Sequence, residues 1–538
     1  MRKKHLKKRH IFTISIIIVI FIALPNITGQ FVNVGKSSWP LSSTNPPDEL
    51  WNNTFTDFGG WGRCVQEVND NGYIIAGSCG IGYWWDAFLL MVDQYGNEIW
   101  HRTFGNDGSS SSIDSGWWAE ITNDACLILV GGRDQPNSRT SHDIWLIKTD
   151  FNGNMLWNKT YPGGIDDEGS CVKQTADGGF IITGWYNDKL CLLKTDENGN
   201  ELWKKVYGDY YSRGYSVVQT SDDGYIVTGS YRLDPEYLWV IKTDSDGNIE
   251  WDKKFRRDCD PGNCYYNCGK RVQQTIDDGY IIGGYTDSYG TDRTDYWLIK
   301  LNISGVEEWN QTFGGTDWDW GYSAIQTTDG GYIIAGSINW PEKFWLYRLD
   351  GYGNKLWEKE YLSHIPAICY CLQQTNDNSY IASGAVDRFS APITFIIKIE
   401  PDYMNNPPNA PTISGPESGK IGESIEYYFS CSDFDNEGVV YYVSWGDGSP
   451  MELVYPSGPS SNDAAASHIW EETGLYNISA RSRDEYGAFS LCSDPYPVSM
   501  PRARLFSSSV SFSFLNLRRF AFPFFRVIFN DKLWSQFC

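Results

Sequence analysis

Histidine is scarce in this chain. Six occur in 538 residues (His5, His10, His101, His142, His364 and His468), none at metal-ligand spacing, which sets aside a histidine-based zinc site. No nucleophile elbow and no glycine-rich phosphate loop occurs, so the commonest serine-hydrolase and nucleotide-binding signatures are missing. Positive charge is also short: 44 Lys and Arg face 67 Asp and Glu, for a formal charge of -23. The bases gather at the ends, six of them in the first nine positions and six, against Asp531 alone, after Met500. The body between is therefore more acidic than the total. Such a body repels nucleic acid and anionic membrane surfaces, and favours cations or neutral ligands held by hydrogen bonds and stacking. Long apolar runs are absent too, apart from residues 11–25 (IFTISIIIVIFIALP), which follow the first basic cluster. That run is short for a spanning helix and suits an export signal with cleavage near Gly29, or an uncleaved N-terminal anchor.

Aromatics are what the chain has in quantity, 16 % of residues with 24 tryptophans, enough to build a large core. Thirteen cysteines and six Asn-x-Ser/Thr sequons (Asn26, Asn52, Asn158, Asn302, Asn310, Asn477) fit an exported glycoprotein in an oxidising setting. A local disulfide is expected within RRDCDPGNCYYNCGKR, between two of Cys259, Cys264 and Cys268. Another is expected between Cys431 and Cys492. Cys64, Cys171 and Cys371 hold one repeat position and should be too far apart to bridge.

From residue 48 to 402 the chain repeats. Trp-x-x-x-Phe/Tyr occurs seven times, at Trp51, Trp100, Trp157, Trp203, Trp251, Trp309 and Trp357, spaced 46 to 58 residues apart. Between these marks come a strand such as YSVVQT, a tight turn and a Gly-ending strand such as SDDGYIVTG, and an aromatic-centred strand such as LWVIK. In chain order these are strands A, B and C, and the Trp strand is D. Four strands in about 50 residues form a propeller repeat. The region opens on a lone D strand and closes on a C strand with no D strand after it. The N-terminal strand therefore predicts a ring of seven blades, closed without open edges.

The CD hairpin reads Asp-x-x-Gly-Asn-x-x-Trp. It resembles the docking motif of quinoprotein propellers in keeping Gly199 four residues before Trp203, but Asp196 is one residue closer to the Trp than in that motif, and Cys369 and Cys371 are not adjacent. It is similar to sialidase Asp boxes as well, whose Gly lies three before the Trp. Asp244-Ser245-Asp246-Gly247-Asn248 leaves room for calcium. The plainer reading is that Asp opens the turn, Gly and Asn take its left-handed positions, and Trp packs between blades.

After a linker at 403–411, residues 412–500 alternate as a small β-sandwich. Trp445-Gly446-Asp447-Gly448, His468-x-Trp470, Gly474-x-Tyr476 and Asp484-x-x-Gly487 resemble a PKD domain, an immunoglobulin-like surface module, and imply a spacer or binding module rather than a catalyst. The full repeats are similar to those of uncharacterised secreted propellers that pair with PKD domains. Residues 1–29 are the signal or anchor and 30–47 a linker. The Phe/Arg-rich tail at 501–538 offers a second route to membrane association.

Of the tryptophans outside strand centres, Trp61, Trp84, Trp85, Trp117, Trp118, Trp185, Trp318, Trp320 and Trp340 fall in the D-to-A or B-to-C connections or at the start of strand A. These open on one face of the disc. Asp317 and Asp319 share it, as do Asp57, Asp107, Asp114, Asp166 and Asp209. Rings that stack on sugar C–H faces, beside carboxylates that accept hydroxyls, point to a glycan. The expected function is a non-catalytic secreted or surface protein that binds a glycan or another surface protein, with no resident cofactor. The alternatives are a quinone-dependent or sugar-cleaving enzyme, with Asp166–Asp167 or Asp317–Asp319 as an acid pair, and a surface-layer component.

Overall fold

Every D strand after the first is the outer member of an antiparallel sheet built from its own repeat. The structure is a computed structural model. It describes residues 46–501 apart from 58, 69–71, 81–84, 106–112, 135–141, 165, 210, 233–235, 257–265, 288–292, 316, 339–341, 388–391, 403–406, 434–437, 459–460 and 485–487. The N-terminal segment and the tail, Trp84, Trp340, Asp107, Cys259 and Cys264 lie outside the described residues. The third repeat shows the plan: Glu168–Gln174, Phe180–Tyr186, Lys189–Thr195 and Glu201–Tyr207 pair in that order. Its B and C strands are buried on both faces and read as continuous apolar runs, whereas D is half exposed. A strand flanked by other sheets on both faces has no polar side to alternate with.

Among the described residues seven sheets follow this plan. Their A strands are Trp61–Glu67, Ser115–Ile121, Glu168–Gln174, Arg213–Gln219, Cys268–Gln274, Trp320–Gln326 and Ala367–Gln374. Each lies beside the next, and the last lies beside the first. The seventh sheet takes its outer strand from the far end of the chain: Glu49–Phe55 pairs with Ile393–Ile399, placing Asn52 opposite Ile397. The chain is thus all-β, a series of repeated four-stranded sheets of the propeller kind.

One contact joins neighbouring sheets. Gly247 in the fourth CD hairpin has φ +76°, and a Cβ there would collide with Trp203 of the sheet before it. The Trp203 ring then lies 6.0 Å from Tyr225. Trp51 makes the same contact with Gly96 and, at 5.9 Å, with Tyr73, so the seventh sheet meets the first as any sheet meets its neighbour. The turn uses up the Asp244 carboxylate. One oxygen accepts the Asn248 N–H at 2.7 Å and the Asp246 N–H at 3.0 Å, and the other accepts the Asn248 amide at 2.9 Å. Both oxygens thus serve the turn, and among the described residues no three His, Cys, Asp or Glu side chains converge on one point.

A buried cation recurs on strand C, paired with an Asp of the AB turn: Lys148–Asp124, Lys194–Asp177, Lys242–Asp222, Lys300–Asp277 and Lys398–Asp377 at 2.7–2.9 Å, and Arg348–Asp329. Burial pushes the Asp377 carboxyl up, but Lys398, the Thr375 hydroxyl and the Ser379 N–H outweigh it and hold it at about 2. Asp177, Asp222 and Asp277 are lowered by the same balance. A lowered folded-state pKa stabilises above the unfolded value near 3.8 and loses that contribution as pH falls through the folded value. Melting temperature is therefore expected to hold from neutral pH to about 4 and to fall steeply from there to about 2. Circular-dichroism melts across that range test this, and Lys398→Met should shallow the fall.

The remaining strands form two four-stranded sheets, running Thr412–Ser414, Ile425–Ser430, Ser461–His468, Pro456–Gly458 and Glu452–Val454, Val439–Ser444, Gly474–Asp484, Tyr496–Met500. The motif residues fasten one corner. His468 stacks on Trp445 at 4.7 Å and bonds Asp447 through Nε2 at 2.7 Å, and the Trp470 indole N–H donates to the Trp445 carbonyl at 3.4 Å. Arg481 donates to the Ile276 carbonyl in an AB turn and Arg483 lies over Tyr352 of a CD turn, so this unit seats on the turn side of the repeated sheets.

The cysteine expectations need correction. Cys431 is a free thiol that accepts the Tyr441 hydroxyl at 3.5 Å; Cys492 is disulfide-bonded, so the two do not join. They lie on chain segments that follow strands of different sheets. Cys268 is also free, buried at the head of its A strand. Cys64 and Cys371 are not far apart: their thiols are near enough to act on each other's ionisation. Each A-strand cysteine leans toward the next strand rather than across the centre: Cys64 to Ala119, Cys171 to Val217 and Cys371 to Val65. The seventh and first strands are adjacent, which brings Cys371 to Cys64.

Candidate functional site

Three D-to-A connections are held from beneath by the residue before the A strand. Asp114, Asp167 and Asp319 occupy this place and are fully buried. Asp114 accepts the Asp134 N–H at 2.8 Å, Asp167 accepts the Gly164 and Asn187 N–H groups at 2.8 and 2.6 Å, and Asp319 accepts the Gly315 N–H at 2.6 Å. Buried carboxylates capped by backbone N–H groups are structural ties. Asp319 therefore shares the face with Asp317 but does not open onto it. Asp317 is half-buried and pairs with Arg293.

The described tryptophans separate in the same way. Trp185 and Trp118 are buried. Trp61 and Trp85 are half-exposed and stacked at 4.1 Å, with ring planes 15° apart. Trp318 and Trp320 are half-exposed and parallel within 9°, with Tyr266 and Tyr285 set edge-on against them. Trp117 lies between the groups, its indole N–H given to Glu168. Two ring platforms thus stand at the mouth, formed by the first and sixth sheets.

Inside the mouth, each A strand carries a β-bulge near its start, between Gly62 and Cys64, Gly116 and Trp118, and so on through Cys369 and Cys371. A bulge sets two residues against one on the partner strand and breaks the in-out alternation. The residues that the register skips are Arg63, Trp117, Ser170, Tyr215, Lys270, Tyr322 and Tyr370. The Arg63 guanidinium lies 3.8 Å over Trp117 and 5.9 Å from Tyr370, and Tyr370 meets Tyr322 at 5.0 Å. Lys270 Nζ lies 3.4 Å from the Tyr215 ring centre. From the fourth position, Arg271 of the fifth sheet reaches across to lie 4.1 Å over Trp118 of the second. The A strands therefore surround one shared space lined by cations and rings.

Burial lowers the Arg63 pKa, and the nearby Tyr370, Glu168 and Tyr322 do not restore it. Burial opposes the Lys270 charge too, but the Cys268 thiol, the Tyr215 hydroxyl and Glu236 together hold its pKa above the ordinary range. The chemistry of the enclosure is recognition by charge and stacking. Arg63, Lys270 and Arg271 were not among the residues singled out from sequence. The signal available was their place at or next to the A-strand bulge, visible once the repeats are stacked.

No family model matches the chain, and no curated protein does. Among solved structures, the chain is similar to prolyl oligopeptidase B from Galerina marginata at 12% identity, covering 72% of this chain and 57% of that one with a TM-score of 0.37. Over 18% of its length it is similar to the PKD domain of an M14-like peptidase from Thermoplasmatales archaeon SCGC AB-540-F20, at 33% identity, covering 99% of that chain with a TM-score of 0.17.

Proposed function

We propose that the chain is a closed seven-bladed β-propeller followed by a PKD-like sandwich, and that it is a non-catalytic binding protein, secreted or held at the cell surface, whose propeller mouth takes a glycan. Ring closure is supported by the pairing of the N-terminal strand with the last C strand and by the contact of Trp51 with the first blade. The observation that carries the binding reading is the pair of half-exposed ring platforms, Trp61–Trp85 and Trp318–Trp320, on the face away from the turns that seat the sandwich. Flat aromatic surface beside a few polar groups is what sugar recognition uses.

Both candidate acid pairs lack a second open carboxylate. Asp167 is tied to backbone N–H groups while Asp166 is engaged by His142 and Arg213, and Asp319 is tied while Asp317 faces Arg293. A glycosidase needs both members at the substrate, so this favours binding over cleavage. The full chain is expected to bind on a glycan array, and Trp318→Ala or Trp320→Ala should weaken that binding about tenfold, near 1.4 kcal/mol, without changing the melt. A blank array together with a blank surface-protein pull-down would sink the proposal.

A further inference from the structure

We propose that the mouth of the A-strand ring binds the carboxylate of an acidic sugar, held by Arg63, with Lys270 and Arg271 lining the same enclosure. The inference rests on the glycan reading above and specifies its ligand class.

Elsewhere in the repeats, buried cations have carboxylate partners. Lys194, Lys242, Lys300 and Arg348 all do, and Lys242, Lys300 and Arg348 have two each. The enclosure breaks this pattern. Among the described residues, none of Arg63, Lys270 and Arg271 has an ion-pair partner, and Nε of both arginines is buried with no hydrogen-bond partner. The three side chains are half-buried, and the two buried, unpartnered Nε groups leave donor capacity that a group arriving from outside can satisfy. Glu168, the carboxylate nearest Arg63, is already turned to the Ser115 hydroxyl and the Trp117 indole.

The geometry selects the anion. Each guanidinium carbon lies over an indole, Arg63 at 3.8 Å on Trp117 and Arg271 at 4.1 Å on Trp118. A guanidinium is a planar fork that matches a carboxylate in two parallel bonds, and an aromatic contact through its face leaves that N–H edge usable. A sugar ring carrying that carboxylate would have Tyr322, Tyr370 and the outer platforms beside it. A neutral sugar would leave the guanidinium unpaired.

The charge of the whole chain does not forbid this. The seven A strands carry five cations (Arg63, Lys173, Arg213, Lys270, Arg271) against three carboxylates (Glu67, Glu120, Glu168). The acidic outer surface acts through salt, where fields fade over about 8 Å at physiological ionic strength. Cations that line an enclosed mouth act at contact.

The test is titration calorimetry of the full chain with trigalacturonate and with neutral galactotriose. Trigalacturonate should bind at least about tenfold more tightly, and its affinity should fall as salt rises from about 0.05 to about 0.5 M. Arg63→Gln should lower trigalacturonate affinity at least about tenfold and abolish the preference, without lowering the melt. If that variant does not fold, Arg63→Lys, which keeps charge and loses the fork, should reduce the preference while melting normally. Equal affinity for the two trisaccharides, or an unchanged ratio in the folded Arg63 variant, overturns the carboxylate assignment and leaves the glycan reading standing. Binding of an acidic peptide but not of trigalacturonate overturns the assignment and moves the site to protein ligands. A blank glycan array removes the underlying reading itself.

Discussion

Arg348→Met is expected to remove about 3–5 kcal/mol of stability, read as a lowered urea midpoint with an unchanged slope. Arg348 is buried, and its Nε donates to Asp402 at 2.8 Å while its far nitrogens reach Asp329 and the Leu349 and Tyr332 carbonyls. Asp402 is buried as well and accepts from the Trp357 indole at 3.1 Å and from the Tyr380 hydroxyl. Burial already raises the Asp402 pKa, with Arg348 the main opposing charge. Without the guanidinium, Asp402 must either stay charged in an apolar setting or take up a proton, and both are unfavourable. The matching position holds lysine in other sheets, where a D-strand Glu250 or Glu308 supplies the second carboxylate. Here the second carboxylate comes from Asp402, beyond the last strand, and needs the longer, forked side chain. Arg348→Lys should therefore give an intermediate loss. The double variant Arg348→Met, Asp402→Asn should recover part of it, because the orphaned charge is gone. A single-variant loss below about 1 kcal/mol would show that the pair is not isolated from water.

Deletion of Glu49–Phe55 is expected to abolish cooperative melting of the monomer. The strand fills the open edge of Ile393–Ile399, buries Phe55 and places Trp51 on the first sheet. Asp48 and the Pro47 carbonyl just before it bind Lys359, and the Tyr361 hydroxyl also reaches Pro47. Losing a buried aromatic costs roughly 3–5 kcal/mol, against a typical total of about 5–15 kcal/mol. The bared strand would also offer unpaired N–H and C=O groups to another chain. Light scattering should show self-association of the truncated chain, and a peptide spanning residues 46–57 added in trans should restore a single transition. A truncated monomer that melts like the full chain would contradict the structural role given to this strand.

The repeat was legible because its chemistry is local. Trp203 and Gly247 announce a contact that needs only a flat ring and a residue without a side chain, and the CD hairpin declares itself through Asp, Gly and Asn. Strand order followed from the lone D strand at one end and the missing one at the other. The site was less legible for two physical reasons. First, the A-strand bulge destroys the period of two, so Arg63 and Cys64, or Lys270 and Arg271, do not sort into inside and outside by counting. Second, summed charge hides placement: a total of -23 says nothing about three cations carried on the A strands of one mouth. Burial divided residues that look alike in sequence. Asp317 and Asp319 are two apart, yet one faces Arg293 and the other ties a loop. Trp117 and Trp118 are adjacent, yet Trp118 is buried and Trp117 lies under the Arg63 guanidinium.

The strand Glu49–Phe55 also has a consequence in time. Its partner is made roughly 350 residues later, which at a synthesis rate of about 5–20 residues per second is a wait on the order of 20–70 s. Over that interval six sheets can assemble from their own repeats, while the earliest strand has nothing to pair with. Assembly should thus end with a slow joining step that depends on the whole repeat region having emerged. A protease present during synthesis would cut first near residue 50, at a segment that becomes one of the best-protected edges only once the last C strand has arrived.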